Sequence, residues 1–361
     1  MLKILKAWYQ QHFTDPQAVF LFLLLVLCFA VILIFGNMLM PVFSAIVIAY
    51  LLESFVKLLQ RYGTGRSVAV WLVWCVFVTF FIFLVFGILP LLSSQVTDFI
   101  PELSRYWAQG QLYLSELPKR YPLFADTQMQ RIVDDLGAML RGVGKDLLFG
   151  GSLKTITSGF ITLIIYLVLL PLLVLFFLKD KIIILAWFGR FLPKERELMA
   201  RVWAELDLQL GNYIRGKAWE MFIVTIATYL IFAVFGLKYA FLLAVMVGVS
   251  VLIPYIGVII VTVPVLMVAY FQLGVSSEFL WLMALYIIIQ GLDGSILVPV
   301  LFSEVVNLHP VAIIVSVLVF GGMWGFWGIF FAIPLATLVN AILHTWPRTT
   351  ITAAADPTPP S

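Results

Sequence analysis

Apolar residues in this chain come in long unbroken runs, with polar residues gathered between them. A membrane-crossing helix needs about 20 apolar residues. Eight runs approach or exceed that length: 19–35, 38–59, 68–92, 159–178, 219–235, 239–271, 279–301 and 311–343. Thr14, Asp15 and Pro16 precede the first and read as a helix cap and first helical residue. The stretch before it is polar and aromatic, with no small-residue cleavage site after it, so it reads as an uncleaved start. The pattern predicts an all-α polytopic membrane protein of about eight transmembrane helices, some interrupted, with an extracytoplasmic helical insert.

The polar stretches divide the chain further. Residues 1–92 form an N-terminal membrane region of three spans. Residues 93–157 form the insert, where Ile132, Leu136, Met139, Val143 and Leu147 recur at helical spacing. Pro118 and Pro122 break that insert, and Gly150 and Gly151 hinge it back to the membrane. Residues 158–192 hold the fourth span and a cytoplasmic loop. Residues 193–218 read as a cytoplasmic amphipathic helix, with Trp203, Leu206, Leu210 and Tyr213 on one stripe. Residues 219–346 are a C-terminal membrane region with two interrupted hairpin units, and 347–361 a Pro-rich disordered tail.

Orientation follows the basic residues of short loops. Lys3 and Lys6 start the chain inside. Lys57, Arg61 and Arg66 then fall inside, as do Lys179, Lys181, Arg190, Lys194, Arg196 and Arg201. The loop after the fifth run carries Lys238 alone. Both termini are expected in the cytoplasm of a bacterial cell, the protein being multi-pass in the inner membrane.

Composition sharpens the picture. The 361 residues are 63% hydrophobic and 11% charged, against about 25% charged in a soluble domain. Mean hydropathy is +1.08. These values exclude a soluble globular enzyme. The net charge of +3 and the absence of a basic patch exclude a nucleic-acid partner. Cys28 and Cys75 both lie in apolar runs and offer neither a disulfide framework nor a metal cluster. No GxSxG, HExxH or Walker-type loop is present, so no catalytic residue, metal or cofactor is assigned, and the chain reads as a non-enzyme. Without a nucleotide site, uphill movement requires an ion gradient or the solute's own gradient.

The sixth and eighth runs carry helix breakers in mid-membrane. Residues 249–265 read VSVLIPYIGVIIVTVPV, with Pro254, Tyr255, Gly257 and Pro264. Residues 315–336 cluster Gly321, Gly322, Gly325 and Gly328 and end at Pro334. VSVL opens both segments, and on eight crossings the two units would repeat in parallel. Paired interrupted helices point to a transport site. Glycine-rich faces also serve plain helix packing. Whether either segment spans or re-enters is open at this stage.

Ionisable groups in the membrane are costly and call for a reason. Asp293 is the one clearly deep acid, in IIIQGLDGSILVP, with Gln290 a turn earlier and Ser295 after it. Flanking Gly291, Gly294 and Pro299 predict a distorted helix with exposed carbonyls. That set suits a cation or proton site, or an acceptor for a hydroxylated solute; it equally suits an acid that caps a helix break. Glu53 pairs with Lys57 a turn on. Glu220 lies at the inner interface beside Arg215 and Lys217. His309, before Pro310, reads as a helix-start hydrogen bonder, or as a proton relay.

Taken in order, FFLKDK at 176–181, NYIRGK at 212–217, VLIPYIG at 251–257, LVPVLFSEVVNLHP at 297–310 and FGGMWGFWGIFFAIPLATL at 320–338 resemble the autoinducer-2 exporter family, and within it the PerM-like permeases. The likeness covers residues 1–345. It implies export of a small polar metabolite such as autoinducer-2, or sodium–proton antiport as in other members, and a homo-oligomer, a pentamer. The family positions that match include Pro254, Tyr255, Gly257, Asp293, His309, Gly321, Gly322, Gly325 and Gly328. With Gln290 and Ser295 they are the transport-pathway candidates. The expected partners are the lipid bilayer, a second copy of the chain and a small solute or cation. A non-transporting scaffold acting through the 93–157 insert is the rival from another class.

Overall fold

The computed structural model describes residues 16–120, 153–191, 197–254, 256–302 and 309–345. Every regular element among them is helical. The stripes expected at 132–147, the hinge at 150–151, Tyr255 and the tail lie outside the described residues. Five helices are long and apolar enough to cross a membrane: Met38–Arg61, Arg66–Gly110, Leu206–Val234, Ile256–Leu273 and Ser277–Phe302. Three shorter apolar helices are Ile165–Lys179, Ala240–Ser250 and Pro310–Trp324. The described chain is thus an all-α polytopic membrane protein.

The first two apolar runs form one helix, α1 (Pro16–Arg61). Its 46 residues reach about 69 Å at 1.5 Å per residue. The turn expected at 36–37 is absent; Gly36 keeps a negative φ and Pro41 sits inside the helix. A short turn follows, with Gly63 at φ +89°, and the Thr64 hydroxyl donates to the Leu59 carbonyl at 2.6 Å. Then come α2 (Arg66–Phe83), a π-turn at Leu84–Ile88, and α3 (Leu89–Arg120). The insert therefore begins as a direct extension of a spanning helix. It continues past Pro118 to Arg120, where the described stretch ends. Next are α4 (Leu153–Lys179), α5 (Lys181–Gly189) and α6 (Glu197–Val234). The amphipathic stretch and the fifth span are one helix, because no breaker separates them.

The chain divides into two units. One comprises 41–179 and 214–304; the other comprises 1–40, 180–213 and 305–361.

In the first unit, α1, α2 and α4 pack through Ala45, Ala49, Val56, Ala69, Val70, Val73, Phe77, Leu170, Val174 and Leu178. The alanines let backbones approach closely, which drives association where lipid is as apolar as the side chains. Polar ties are few. The Trp74 indole donates to the Pro171 carbonyl at 2.9 Å. Arg66 donates to Glu53 at 3.2 Å and to the Leu178 carbonyl at 3.0 Å. Glu53 thus pairs with Arg66 across a turn, in place of the Lys57 pairing expected along one helix.

The second core of this unit gathers around a helical hairpin, α7 (Ala240–Ser250) and α8 (Ile256–Leu273). Pro254 sits at the turn, and the arms pack against each other. A Cβ on Gly257 would lie 1.9 Å from the Ser250 carbonyl oxygen, so only glycine permits this closeness. The open ends are tied. Gln272 Oε1 accepts from the Lys238 amide at 2.7 Å, and its Nε2 donates to the Gly236 carbonyl at 2.8 Å. The sixth run therefore returns the chain to the end from which it started, although α8 alone has the length of a span. Helix α3 docks on that end. Tyr106 stacks on Phe271 at 4.7 Å, Phe99 meets Tyr239 at 5.3 Å, and Gln95 Oε1 caps the Leu242 amide at 3.0 Å.

Helix α9 (Ser277–Leu292), a π-segment at Asp293–Leu297 and α10 (Val298–Phe302) complete the unit. Tyr286 of α9 stacks on Phe232, and Phe302 lies against Gly216, so α6 and the α9–α10 run are antiparallel.

The other unit holds a second hairpin: α11 (Pro310–Trp324), α12 (Phe326–Phe330) and α13 (Ala332–Thr345). It reverses at Gly325, φ +58°. A Cβ on Gly328 would fall 1.8 Å from the Phe320 carbonyl oxygen. Tyr213 donates to the Phe330 carbonyl at 3.0 Å, and Phe29 packs edge-on against Trp324 at 5.3 Å.

Replacing Gly257 with Ala forces its Cβ into backbone and should cost about 1–3 kcal/mol, the range for overpacking. Thermal unfolding in detergent should show a clearly lower midpoint for Gly257→Ala and little change for Gly294→Ala, whose Cβ would meet open space. Single cysteines at Lys238 and Glu278, in a chain lacking Cys28 and Cys75, should react with an impermeant maleimide from the same membrane face. Opposite faces would show that residues 239–271 cross the bilayer.

Candidate functional site

Two charged side chains meet inside the first unit. Lys217 and Glu220 are one turn apart on α6 and are 5% and 2% exposed. The Lys217 ammonium stands 2.8 Å from Glu220 Oε2 and donates to Oε1 at 3.1 Å. It also donates to the Val251 carbonyl at 2.9 Å. That carbonyl ends α7, at the hairpin tip, where the helix ladder stops. The Phe302 ring covers the ammonium at 5.1 Å, a cation–π contact strengthened by desolvation. Gly216 makes room for that ring: a Cβ there would come 2.7 Å from Phe302 Cε1.

Asp293 is a further buried acid of the same unit. It opens the π-segment and is 8% exposed. Its Oδ1 is buried without a hydrogen-bond partner, as are both amide atoms of Gln290 one turn earlier. The Asp293 amide is shared between the Gln290 and Ile289 carbonyls, the start of the wider π-turn. Such turns recur at functional sites because they re-aim side chains within a helix. Buried, unpaired polar groups cost about 1–3 kcal/mol each, so this end of the core is primed for an outside partner.

The other candidates are placed as follows. Ser295 is exposed on the opposite side of the π-segment from Asp293. Pro254 is half-buried at the hairpin tip, and Gly257 is buried against the facing arm. His309 is exposed, and its Nδ1 accepts from the Val311 amide at 3.3 Å, capping α11. In the second hairpin Gly325 makes the turn, Gly328 is buried at the arm contact, Gly321 faces Ile329, and Gly322 is exposed.

The same unit that buries Asp293 and Gln290 also buries a pair that sequence reading set at the membrane interface. Lys217 and Glu220 lie inside the spanning stretch Leu206–Val234. The apolar run beginning at Trp219 hid this, because the helix continues unbroken on both sides. The signal was the face 217, 220, 224, 228, which is buried throughout.

Comparison with known proteins then places the chain. A family model described as "AI-2E family transporter" matches residues 20–348. The chain belongs to this family. It is 47% identical over 351 residues to the Escherichia coli (strain K12) protein named "Putative permease PerM", covering 96% of this chain and 98% of that one. It is 24% identical over 315 residues to the Bacillus subtilis (strain 168) "Putative transport protein YrrI", covering 86% and 87%. A second protein of that organism, "Putative transport protein YueF", is 22% identical over 343 residues, covering 91% and 92%. The family is one of membrane transporters, in agreement with the multi-pass architecture.

Removing one partner of a buried ion pair strands the other charge, at about 3–5 kcal/mol, whereas apolar replacement of both is often neutral. Lys217→Met and Glu220→Met alone should therefore sharply reduce detergent-stable protein. The double variant should recover most of it. Size-exclusion profiles of the three variants check this.

Proposed function

We propose that this chain carries a small polar metabolite across the membrane, along a path bordered by Asp293, Gln290 and the α7–α8 hairpin tip. One observation carries the reading. A carboxylate oxygen and a whole carboxamide lie buried and unpartnered, one helical turn apart, beside a broken hairpin inside a transporter fold. A hydroxylated solute supplies the donors and acceptors these groups lack. Autoinducer-2, a small polyhydroxylated molecule, fits that chemistry and gives the family its name. Pro254 and Gly257 shape the hairpin tip in this reading, and Tyr255 stays a candidate from sequence. Gly321, Gly322, Gly325 and Gly328 give the second hairpin the same construction, while His309 caps its first arm. Ser295, turned away from Asp293, has no part in the path.

The basic loops support an orientation with 57–66 and 179–201 in the cytoplasm of a bacterial inner-membrane protein. With α7–α8 returning to the side from which it enters, the first unit's part of α6 runs outward and α9–α10 inward. The C-terminus stays cytoplasmic. A cytoplasmic N-terminus is read from Lys3 and Lys6. Assembly of several copies, a pentamer on the family resemblance, is in keeping with the many apolar side chains on the outer faces, among them Val76, Ile259 and Ile287.

Cation–proton exchange is the second reading. Its support is that the unit buries two carboxyl groups, Glu220 and Asp293, and one ammonium, Lys217.

Proteoliposomes loaded with autoinducer-2 and an internal pH dye separate the two. Wild-type protein should release the solute, and Asp293→Asn should cut the rate about tenfold or more, the scale of one lost charge-assisted hydrogen bond, at unchanged reconstitution. Sodium-driven pH change without solute movement would establish exchange instead. Equal solute flux from Asp293→Asn would remove Asp293 from the path.

A further inference from the structure

Two guanidinium groups reach the same turn of α1 from different helices. Arg66 of α2 donates to Glu53 at 3.2 Å, and Arg215 of α6 donates to the Ser54 hydroxyl at 3.2 Å. Successive residues of a helix stand about 100° apart around its axis. With Glu53 as zero, Ser54 lies at about 100°, Lys57 at about 40° and Arg61 at about 80°. Lys57 and Arg61 therefore rise, one and two turns further on, from the sector that the two arginines flank. All four cations belong to the first unit. Lys57 and Arg61 are exposed, and no carboxylate pairs with either among the described residues. Glu53 is the acid that Arg66 holds, and it is buried. The strip thus carries a surplus of positive charge.

The end of α1 does not use these cations. The Leu59 carbonyl accepts from the Tyr62 amide at 3.0 Å and from the Thr64 hydroxyl at 2.6 Å, and the Gln60 carbonyl accepts from the Gly63 amide at 3.0 Å. The chain caps its own last turn, and Lys57 and Arg61 are left to face outward.

The apolar side of the seam has an order of its own. On α6 the face of Arg215 continues through Trp219, Phe222 and Ile226, at helical spacing. All three are exposed, and Trp219 meets Phe222 edge-on at 6.1 Å. Cations at one end, an indole next and plain apolar side chains beyond match a phospholipid read from phosphodiester to ester zone to acyl chain. Indole rings favour that middle zone. A soluble anion has use for the cations alone.

We infer that the seam between α1 and α6 holds an anionic phospholipid, its phosphodiester against Lys57, Arg61 and Arg215 and its acyl chains along Trp219 and Phe222. Basic side chains at the ends of spanning helices hold such headgroups by charge, each adding to the attraction. The lipid joins the ends of α1 and α6 from outside, as the Arg215–Ser54 bond does from within. Its binding is independent of any transported solute.

Native mass spectrometry of the full-length chain in detergent counts bound lipid directly. Dioleoyl-phosphatidylglycerol, which is anionic, is titrated beside dioleoyl-phosphatidylethanolamine, which has no net charge. The wild type should retain the first at much lower concentration than the second. Lys57→Gln combined with Arg61→Gln should weaken phosphatidylglycerol binding about thirtyfold, the product of two lost cations beside an anionic lipid. Neither side chain ties one helix to another, so this variant should elute from size exclusion as the wild type does. Lys181→Gln combined with Arg190→Gln removes the same charge from the two ends of α5 and should bind like the wild type. Inorganic phosphate in millimolar excess should leave the lipid in place. Equal retention of the two lipids, or equal loss from the two double variants, overturns the site. Displacement by phosphate assigns the strip to a soluble anion and overturns the lipid.

Discussion

A bilayer gives no water to a backbone group that leaves the helix ladder, and this constraint organises the C-terminal half of the molecule. At three of the described breaks a side chain meets a backbone group. At Val251 the freed carbonyl takes the Lys217 ammonium. At the start of α7 the Leu242 amide takes the Gln95 carboxamide. At the start of α11 the Val311 amide takes the His309 imidazole. Each uncapped group would cost several kcal/mol in hydrocarbon, so these side chains are conditions for the fold, whatever else they do.

Meeting that demand with a lysine creates a second one. An ammonium in the membrane needs a counter-charge, and Glu220 supplies it from the next turn of the same helix. A neutral pair would close the account. Asp293 keeps it open, because its Oδ1 is buried without a hydrogen-bond partner among the described residues. A purely structural solution would place Asn there. The excess acid, the unpartnered Gln290 and the π-turn that aims them all fall in one place, where a transporter has use for polar groups that are not fully bonded.

The two hairpins solve the same packing problem with different residues. Each brings two backbone arms so close that a single Cβ would collide with a carbonyl: Gly257 on Ser250 in one, Gly328 on Phe320 in the other. The first turns at a proline and the second at Gly325 with positive φ. Close backbone approach compensates for the weak hydrophobic drive between helices in lipid. It also makes each hairpin a stiff unit. Helix α3 adds a brace to the first, through ring contacts from Phe99 and Tyr106. In that way the insert becomes part of the membrane core's support.

Much of this was legible along the chain. Run length and composition determined the all-α membrane class, since an apolar run of that size has no other stable home. The breakers Pro254, Gly257 and Gly325 marked both interruptions, because their backbone needs are local. Asp293 stood out for its depth alone. Periodicity could not show that 19–61 is one helix, since Gly36 permits a turn without requiring it. Nor could it show that 239–271 doubles back, because a span and a hairpin arm have the same apolar signature. The partner of an orphan carbonyl is decided 34 residues away, by how α6 packs against the hairpin tip. That is why Lys217 and Glu220 read as interface residues in sequence and become the centre of the site only in three dimensions.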